Sequence, residues 1–194
     1  MKTYRLERAL PVAFATWLAL ATISLFGYPH SASQVSPKED ELEKLLNTIR
    51  DTNLQETDPN RVIKAIQRLG ELRDPAAVDD LVPLLTFRRW YPWEKDPHAK
   101  IDAVEPIGPS TRYPAVGALM DIGKPSLPAL IKVIENHEPH SLETENAMHV
   151  VTYLSRDKRP EYIDYLKEAA NKAPTPQAAE RLRKAADTLK KSKR

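Results

Sequence analysis

The feature that most constrains the fold is a segment that occurs twice, about fifty residues apart. The first copy, at residues 61–85, reads RVIKAIQRLGELRDPAAVDDLVPLL, and the second, at 115–134, reads AVGALMDIGKPSLPALIKVI. In both copies, apolar residues recur every three or four positions on either side of a short turn that ends in proline, which is typical of two successive helices. Such a pair cannot bury its apolar faces alone, so the copies are predicted to stack against each other.

The rest of the chain after position 36, apart from residues 87–112, shows the same helical spacing, and no stretch alternates as a strand would. The predicted helices are 37–52, 59–72, 75–86, 113–122, 125–136, 142–155, 160–172 and 176–191. Six of them start beside a proline, which suits the first position of a helix, and four of these prolines follow Ser, Asp or Thr, which can cap it. The chain is therefore predicted to be all-α, with a looser third repeat over 142–172.

The turns inside the two copies are predicted to differ. Gly123 fits the left-handed position just past a helix, where a side chain would clash with the backbone. The first copy has Arg73 at the corresponding place, so its turn is expected to have another geometry.

Small, apolar and proline residues occupy matching positions in the two copies. They are Ala65, Leu69, Leu72, Pro75, Leu81 and Leu85, and then Ala118, Leu119, Ile122, Gly123, Pro125, Leu130 and Ile134. This pattern resembles the HEAT repeat family, in particular the short HEAT-like repeats of phycobilisome lyases. The resemblance implies a short right-handed α-solenoid over residues 34–194, in which the second helix of each pair forms a curved contact surface. The implied candidate protein contacts are Asp79, Asp80, Lys132 and Glu135.

The first thirty-three residues have the pattern of a secretory signal peptide. Three basic residues precede an uncharged apolar run at 9–26, and Ser31-Ala32-Ser33 fits a leader-peptidase site, with cleavage between Ser33 and Gln34. An uncleaved membrane anchor is the alternative, because the apolar run approaches the length that spans a bilayer. The mature chain is expected to be secreted or periplasmic, with no stable membrane insertion once the leader is removed.

Composition excludes several functions for the mature chain. Removing residues 1–33 takes away three basic residues and one acidic residue, so the mature chain is formally neutral and nucleic-acid binding is not expected. Cysteine is absent, so disulfides and thiolate chemistry are excluded. The sequence contains no nucleophile elbow, zinc-protease motif or phosphate-binding loop, and His137 and His140 have no third ligand nearby. No catalytic residue, metal or cofactor is expected.

The doubled pattern is interrupted by an irregular insertion at 87–112, which begins FRRWYPWEKDPH. A loop of this length in a compact domain is usually functional or disordered. Trp, Tyr and Arg are the residue types most enriched at binding hot spots. The candidate contact residues are Arg88, Arg89, Trp90, Tyr91 and Trp93. Alternatively, the rings fold back and seal a gap in the core.

The sequence predicts an exported interaction scaffold or adaptor that binds an unidentified protein partner without catalysis. Two alternatives stay open. One is a HEAT-like chromophore lyase or chaperone-type protein, which only the family resemblance suggests. The other is a self-associating structural component of the cell envelope, and the sequence leaves the oligomeric state open.

Overall fold

The computed structural model describes residues 37–91, 94 and 108–192 of the chain. All regular secondary structure in these residues is helical, so the prediction of an all-α fold is confirmed. The α-helices are α1 (Pro37–Arg50), α2 (Thr52–Thr57), α3 (Pro59–Leu72), α4 (Val78–Leu81), α5 (Pro109–Arg112), α6 (Pro114–Ile122), α7 (Leu127–Asn136), α8 (Leu142–Leu154), α9 (Arg159–Lys172) and α10 (Pro176–Lys191). Short 3-10 helices cover Pro75–Ala77, Val82–Leu84 and Lys124–Ser126. The predicted leader and its cleavage site lie outside the described residues.

Side-chain caps fix the starts of helices at the predicted prolines. At the start of α3, the carboxylate of Asp58 accepts a hydrogen bond from the main-chain N–H of Arg61 at 3.2 Å. At the start of α10, the hydroxyl of Thr175 accepts one from Ala178 at 3.1 Å. Each cap satisfies an N–H group that has no partner within its own helix. The predicted bounds of α3 and α10 are confirmed.

The predicted continuous helix over 75–86 is wrong. This segment consists of α4 flanked by two of the 3-10 helices. Pro83 has no N–H to donate, and its ring crowds the carbonyl four residues earlier, so an α-helix cannot run through it unbroken. The predicted apolar stripe is nevertheless buried, since Val78, Leu81, Leu84 and Leu85 all lie in the core.

Two short helices are absent from the sequence prediction. The six-residue α2 is capped by Asp51, whose carboxylate accepts a hydrogen bond from the main-chain N–H of Leu54 at 3.1 Å. The four-residue α5 lies inside the insertion at 87–112, which the sequence predicts to be irregular. Helices this short bury too few residues to show a clear apolar period.

The turns inside the two copies of the doubled segment differ, as predicted, but the left-handed helical position is taken by Arg73 and not, as predicted, by Gly123. Arg73 adopts the left-handed helical conformation, with φ 52° and ψ 33°. Gly123 has φ 84° and ψ −142°, which is outside that region and is accessible to glycine almost alone. The two copies therefore share a positive φ after the first helix but leave the turn along different paths.

The helices form two rows of neighbours. In the first row, α1 packs against α3, α3 against α6, and α6 against α8. In the second row, α7 packs against Val82–Leu84 on one side and against α10 on the other. As the second helix of a third repeat, the segment 160–172 is expected to lie next to α7 in this second row. Instead this segment, α9, packs mainly against α10, and α10 is the neighbour of α7. That the rows form a solenoid stays a prediction.

A hydrophobic core joins the two rows. Its large, fully buried side chains include Ile66, Leu69, Leu81, Leu119, Leu130, Ile134, Leu182 and Leu189. Each residue of this kind stabilises the fold by roughly 1.5–3 kcal/mol before conformational entropy is subtracted. No helix among the described residues is both long enough and apolar enough to span a bilayer.

Asn146 links the two rows through a buried hydrogen bond. Its Nδ2 donates to the main-chain oxygen of Leu85 at 2.7 Å. We expect Asn146→Ala to lower the free energy of unfolding by about 1–3 kcal/mol, because the Leu85 oxygen is left buried without a partner. Urea denaturation followed by circular dichroism measures this change. The control Asn47→Ala replaces an exposed asparagine in α1 and should change stability by less than about 0.5 kcal/mol. Equal losses in both variants would contradict the predicted role.

Candidate functional site

The candidate site forms where the two ends of the aromatic insertion meet. The main-chain N–H of Arg89 donates to the oxygen of Arg112 at 2.8 Å. The phenol of Tyr91 donates to the oxygen of Thr111 at 3.4 Å. These bonds join residues about twenty positions apart and hold the entry and exit of the insertion side by side.

Glu94 connects both ends of the insertion through its carboxylate. One oxygen pairs with the guanidinium of Arg88 and, at 3.2 Å, with Nη2 of Arg112. The other oxygen accepts a hydrogen bond from the main-chain N–H of Tyr91 at 3.0 Å. Arg88, Tyr91, Glu94 and Arg112 are called the loop cluster below. The sequence prediction missed Glu94 and Arg112, because their importance depends on where the two ends of the insertion meet.

The environment of Glu94 favours its ionised form. The hydrogen bond from the Tyr91 N–H lowers the pKa of the Glu94 carboxyl below its usual range, and the charges of Arg88 and Arg112 add to this effect. Burial opposes the shift, since only 13% of the side chain is exposed, but does not reverse it. Because the folded-state pKa is lowered, this stabilisation is present above the ordinary glutamate pKa and is lost as the pH falls through the lowered value.

Trp90 presents its indole ring to solvent beside the loop cluster. Its exposed fraction is 54%, the largest among the exposed large hydrophobic side chains in the described part of the chain. The guanidinium carbon of Arg88 lies 4.2 Å from the ring centroid, which is cation–π geometry. Arg88 thus holds Trp90 on one side and Glu94 on the other. Trp93, the second candidate tryptophan, lies outside the described residues.

The four candidate contacts on the second row differ in their exposure and in their bonds to other residues of the chain. They are Asp79, Asp80, Lys132 and Glu135. Asp79 and Lys132 are exposed. Asp80 accepts two hydrogen bonds from Arg50, at 2.6 and 2.7 Å, so its carboxylate is already paired. Glu135 is half-buried. No hydrogen bond or ion pair within the described residues joins these four to the loop cluster.

A small cleft, called the polar pocket below, opens next to the loop cluster between α3, α5 and α6. Its volume is about 310 Å³. Its polar lining comes from Gln67, Glu71, Arg89, Ser110, Thr111 and Asp121. Of these residues only Arg89 is a predicted contact. The alignment of the two copies could have indicated two others, because Glu71 and Asp121 occupy equivalent positions next to Leu72 and Ile122.

A larger cleft of about 480 Å³ lies between α7, α8 and α10. Ile134, Met148 and Ala185 give it an apolar base, and its rim carries charges of both signs. His140 lines this cleft, whereas His137 bonds through Nδ1 to the oxygen of Val133 at 3.0 Å. Within the described residues, no group of three or more acidic or histidine side chains has an arrangement suited to a metal ion.

Comparisons of the chain with protein-family models, with curated proteins and with solved structures find no match. The HEAT-like character of the doubled segment therefore stays a prediction that depends on the residues of this chain alone.

Proposed function

We propose that this chain is an exported interaction module that binds a protein partner through the aromatic insertion, without catalysis. The observation that carries the proposal is Trp90, a large aromatic ring that is 54% exposed and yet fixed in place by Arg88. About half of this ring is in water, and covering it with the apolar surface of a partner is favourable. Tryptophan and arginine are also the residues that most often dominate the binding energy of protein interfaces.

The loop cluster supports the proposal because it reduces the cost of ordering the site. A flexible loop loses conformational freedom when it binds, and this loss subtracts from affinity. Here Glu94 pairs with both Arg88 and Arg112, and so joins the two described ends of the insertion in the chain alone. A chain of contacts thus runs from Arg112 in α5 through Glu94 and Arg88 to the ring of Trp90.

The proposed scaffold is a short HEAT-like α-solenoid. The doubled segment supports it, as does the order of contacts from α1 to α3, α6 and α8. Export is supported by the basic start, apolar run and small residues of positions 1–33. In such a scaffold, Asp79 and Lys132 would add polar contacts on the second row, while Asp80 would contribute less because it is paired with Arg50.

Replacing Trp90 tests this function directly. The C-terminally tagged full-length chain is used to capture partners from the envelope fraction, and a captured partner is then titrated against each variant. We expect Trp90→Ala to weaken binding by about tenfold or more, as loss of an interface hot spot does.

The matched control is Tyr165→Ala, which removes another exposed aromatic ring, on α9, a helix that packs mainly against α10. It should bind the partner as the unchanged chain does. If Tyr165→Ala and Trp90→Ala weaken binding equally, or neither does, the aromatic insertion is not the contact site. Light scattering on the same samples would reveal self-association, the alternative function, as a doubled mass.

A further inference from the structure

The polar pocket has the dimensions of a site for a small molecule. It holds about 310 Å³, near the lower end of the range for ligand sites. Its floor is formed by Gly117 and Ala118, whose small size leaves the space above α6 open. A Cβ atom added at Gly117 would already come within 3.3 Å of the Ser110 oxygen. The opening therefore depends on a residue without a side chain.

Negative charge gathers at one end of the pocket. Glu71 and Asp121 lie in the last turns of α3 and α6, where the helix dipoles are negative, and neither helix has a basic residue in that turn. The Asp121 carboxylate lies against Gly70, the neighbour of Glu71. Arg68 pairs with Glu71 but also with Glu41, each at 2.8 Å, so it does not neutralise this end. No described residue pairs with Asp121.

Arg89 supplies positive charge to the lining of the pocket. The main chain of Arg89 is bonded to Arg112, immediately after the hydroxyl residues Ser110 and Thr111. The main chain of Arg89 therefore lies near the start of α6, and its side chain lines the pocket. Asp121 lies about 10 Å further along, since an α-helix rises 1.5 Å per residue and Pro114 and Asp121 are seven residues apart. No ion pair within the described residues engages the guanidinium of Arg89.

We propose that the polar pocket binds a small zwitterion whose carboxylate and ammonium groups are well separated, such as lysine or a short peptide. Arg89 takes the carboxylate, with Ser110 and Thr111 as further donors, because a guanidinium binds a carboxylate through two parallel hydrogen bonds. Asp121 takes the ammonium group, and Glu71, which also pairs with Arg68, adds negative charge beside it. Arg89 and the two carboxylates share a pocket without pairing with each other. A ligand that carries a negative group towards Arg89 and a positive group towards the carboxylates matches these charges. The separation favours molecules longer than glycine.

Calorimetric titration of the full-length chain with four probes tests this assignment. Lysine and glycylglycine carry both charges, acetate carries only the anion, and Nα-acetyl-lysine methylamide carries only the cation. We expect a two-charge probe to bind about tenfold or more tightly than either single-charge probe, because each charged hydrogen bond contributes on that scale. Tighter binding of lysine would identify a free amino acid as the ligand, and tighter binding of glycylglycine a peptide. Equal binding of all four probes, or of none, overturns the proposal.

Variants locate the binding in the pocket. Arg89→Gln and Asp121→Asn should each weaken binding of the preferred probe by about tenfold or more. The matched controls Arg183→Gln and Asp157→Asn change exposed residues elsewhere and should leave binding unchanged. Circular dichroism confirms that each variant is folded. If one pocket variant does not fold, the other still tests the assignment. Binding that survives both pocket changes overturns the proposal. These probes need no protein partner, so the result is independent of the role proposed for Trp90.

Discussion

Replacing Leu130 with alanine is expected to lower the free energy of unfolding by about 2–5 kcal/mol. Leu130 lies in α7 and has no exposed surface. Because α7 packs against α8, α10 and Val82–Leu84, truncating Leu130 leaves a cavity bounded by several elements. Elements held on several sides cannot all move inward to fill such a cavity. The loss of burial and the cavity itself therefore both reduce stability.

Urea denaturation at constant temperature measures this loss, and the thermal midpoint provides a second measure. For a domain of this size, the expected change corresponds to a Tm about 4–20 °C lower. The matched control is Leu142→Ala at the start of α8, where 38% of the side chain is exposed. It should cost about 1–2 kcal/mol, less than Leu130→Ala, because more than a third of the side chain is already in water. A similar cost for Leu130→Ala and Leu142→Ala would mean that α7 is not in the core.

The helices could be predicted from the sequence where an apolar stripe is long and its start is marked. α3 and α10 have both, and their bounds agree with the prediction residue for residue. The segment 75–86 also has a stripe, but Pro83 interrupts its hydrogen bonding in a way that the apolar period does not reveal. The choice of α10 over α9 as the neighbour of α7 depends on three-dimensional packing, which no local pattern encodes.

The candidate site could be predicted only in part. The composition of the insertion indicated Arg88, Trp90 and Tyr91, because these residue types suit binding surfaces whatever their geometry. The role of Glu94 could not be derived, since its partner Arg112 is eighteen residues away and only the folded chain brings the two together. The polar pocket is an intermediate case. Its two carboxylates repeat with the doubled segment, but only the folded chain brings Arg89 to the same pocket.

Replacing Gly70 with valine is expected to destabilise the fold by about 3 kcal/mol or more, the upper range for overpacking a core. Gly70 is buried where α3 crosses α6. A Cβ atom at this position would lie 2.8 Å from the Cα of Ala118 and 3.1 Å from its Cβ. Because the nearest atom belongs to the backbone of α6, no side-chain rotation relieves the clash, and the two helices must move apart. The gain in helix propensity over glycine, less than about 1 kcal/mol, is too small to compensate.

Gly108→Val is the matched control, because a Cβ atom there meets nothing within 4 Å. Its backbone, with φ −66° and ψ 158°, is also accessible to valine. This change should cost less than about 1 kcal/mol, as for most exposed substitutions. Urea denaturation of the two variants side by side separates the effect of crowding from the effect of losing a glycine. Similar midpoints for the two variants would contradict the close contact between Gly70 of α3 and Ala118 of α6. They would also contradict the position given to Ala118 in the floor of the polar pocket.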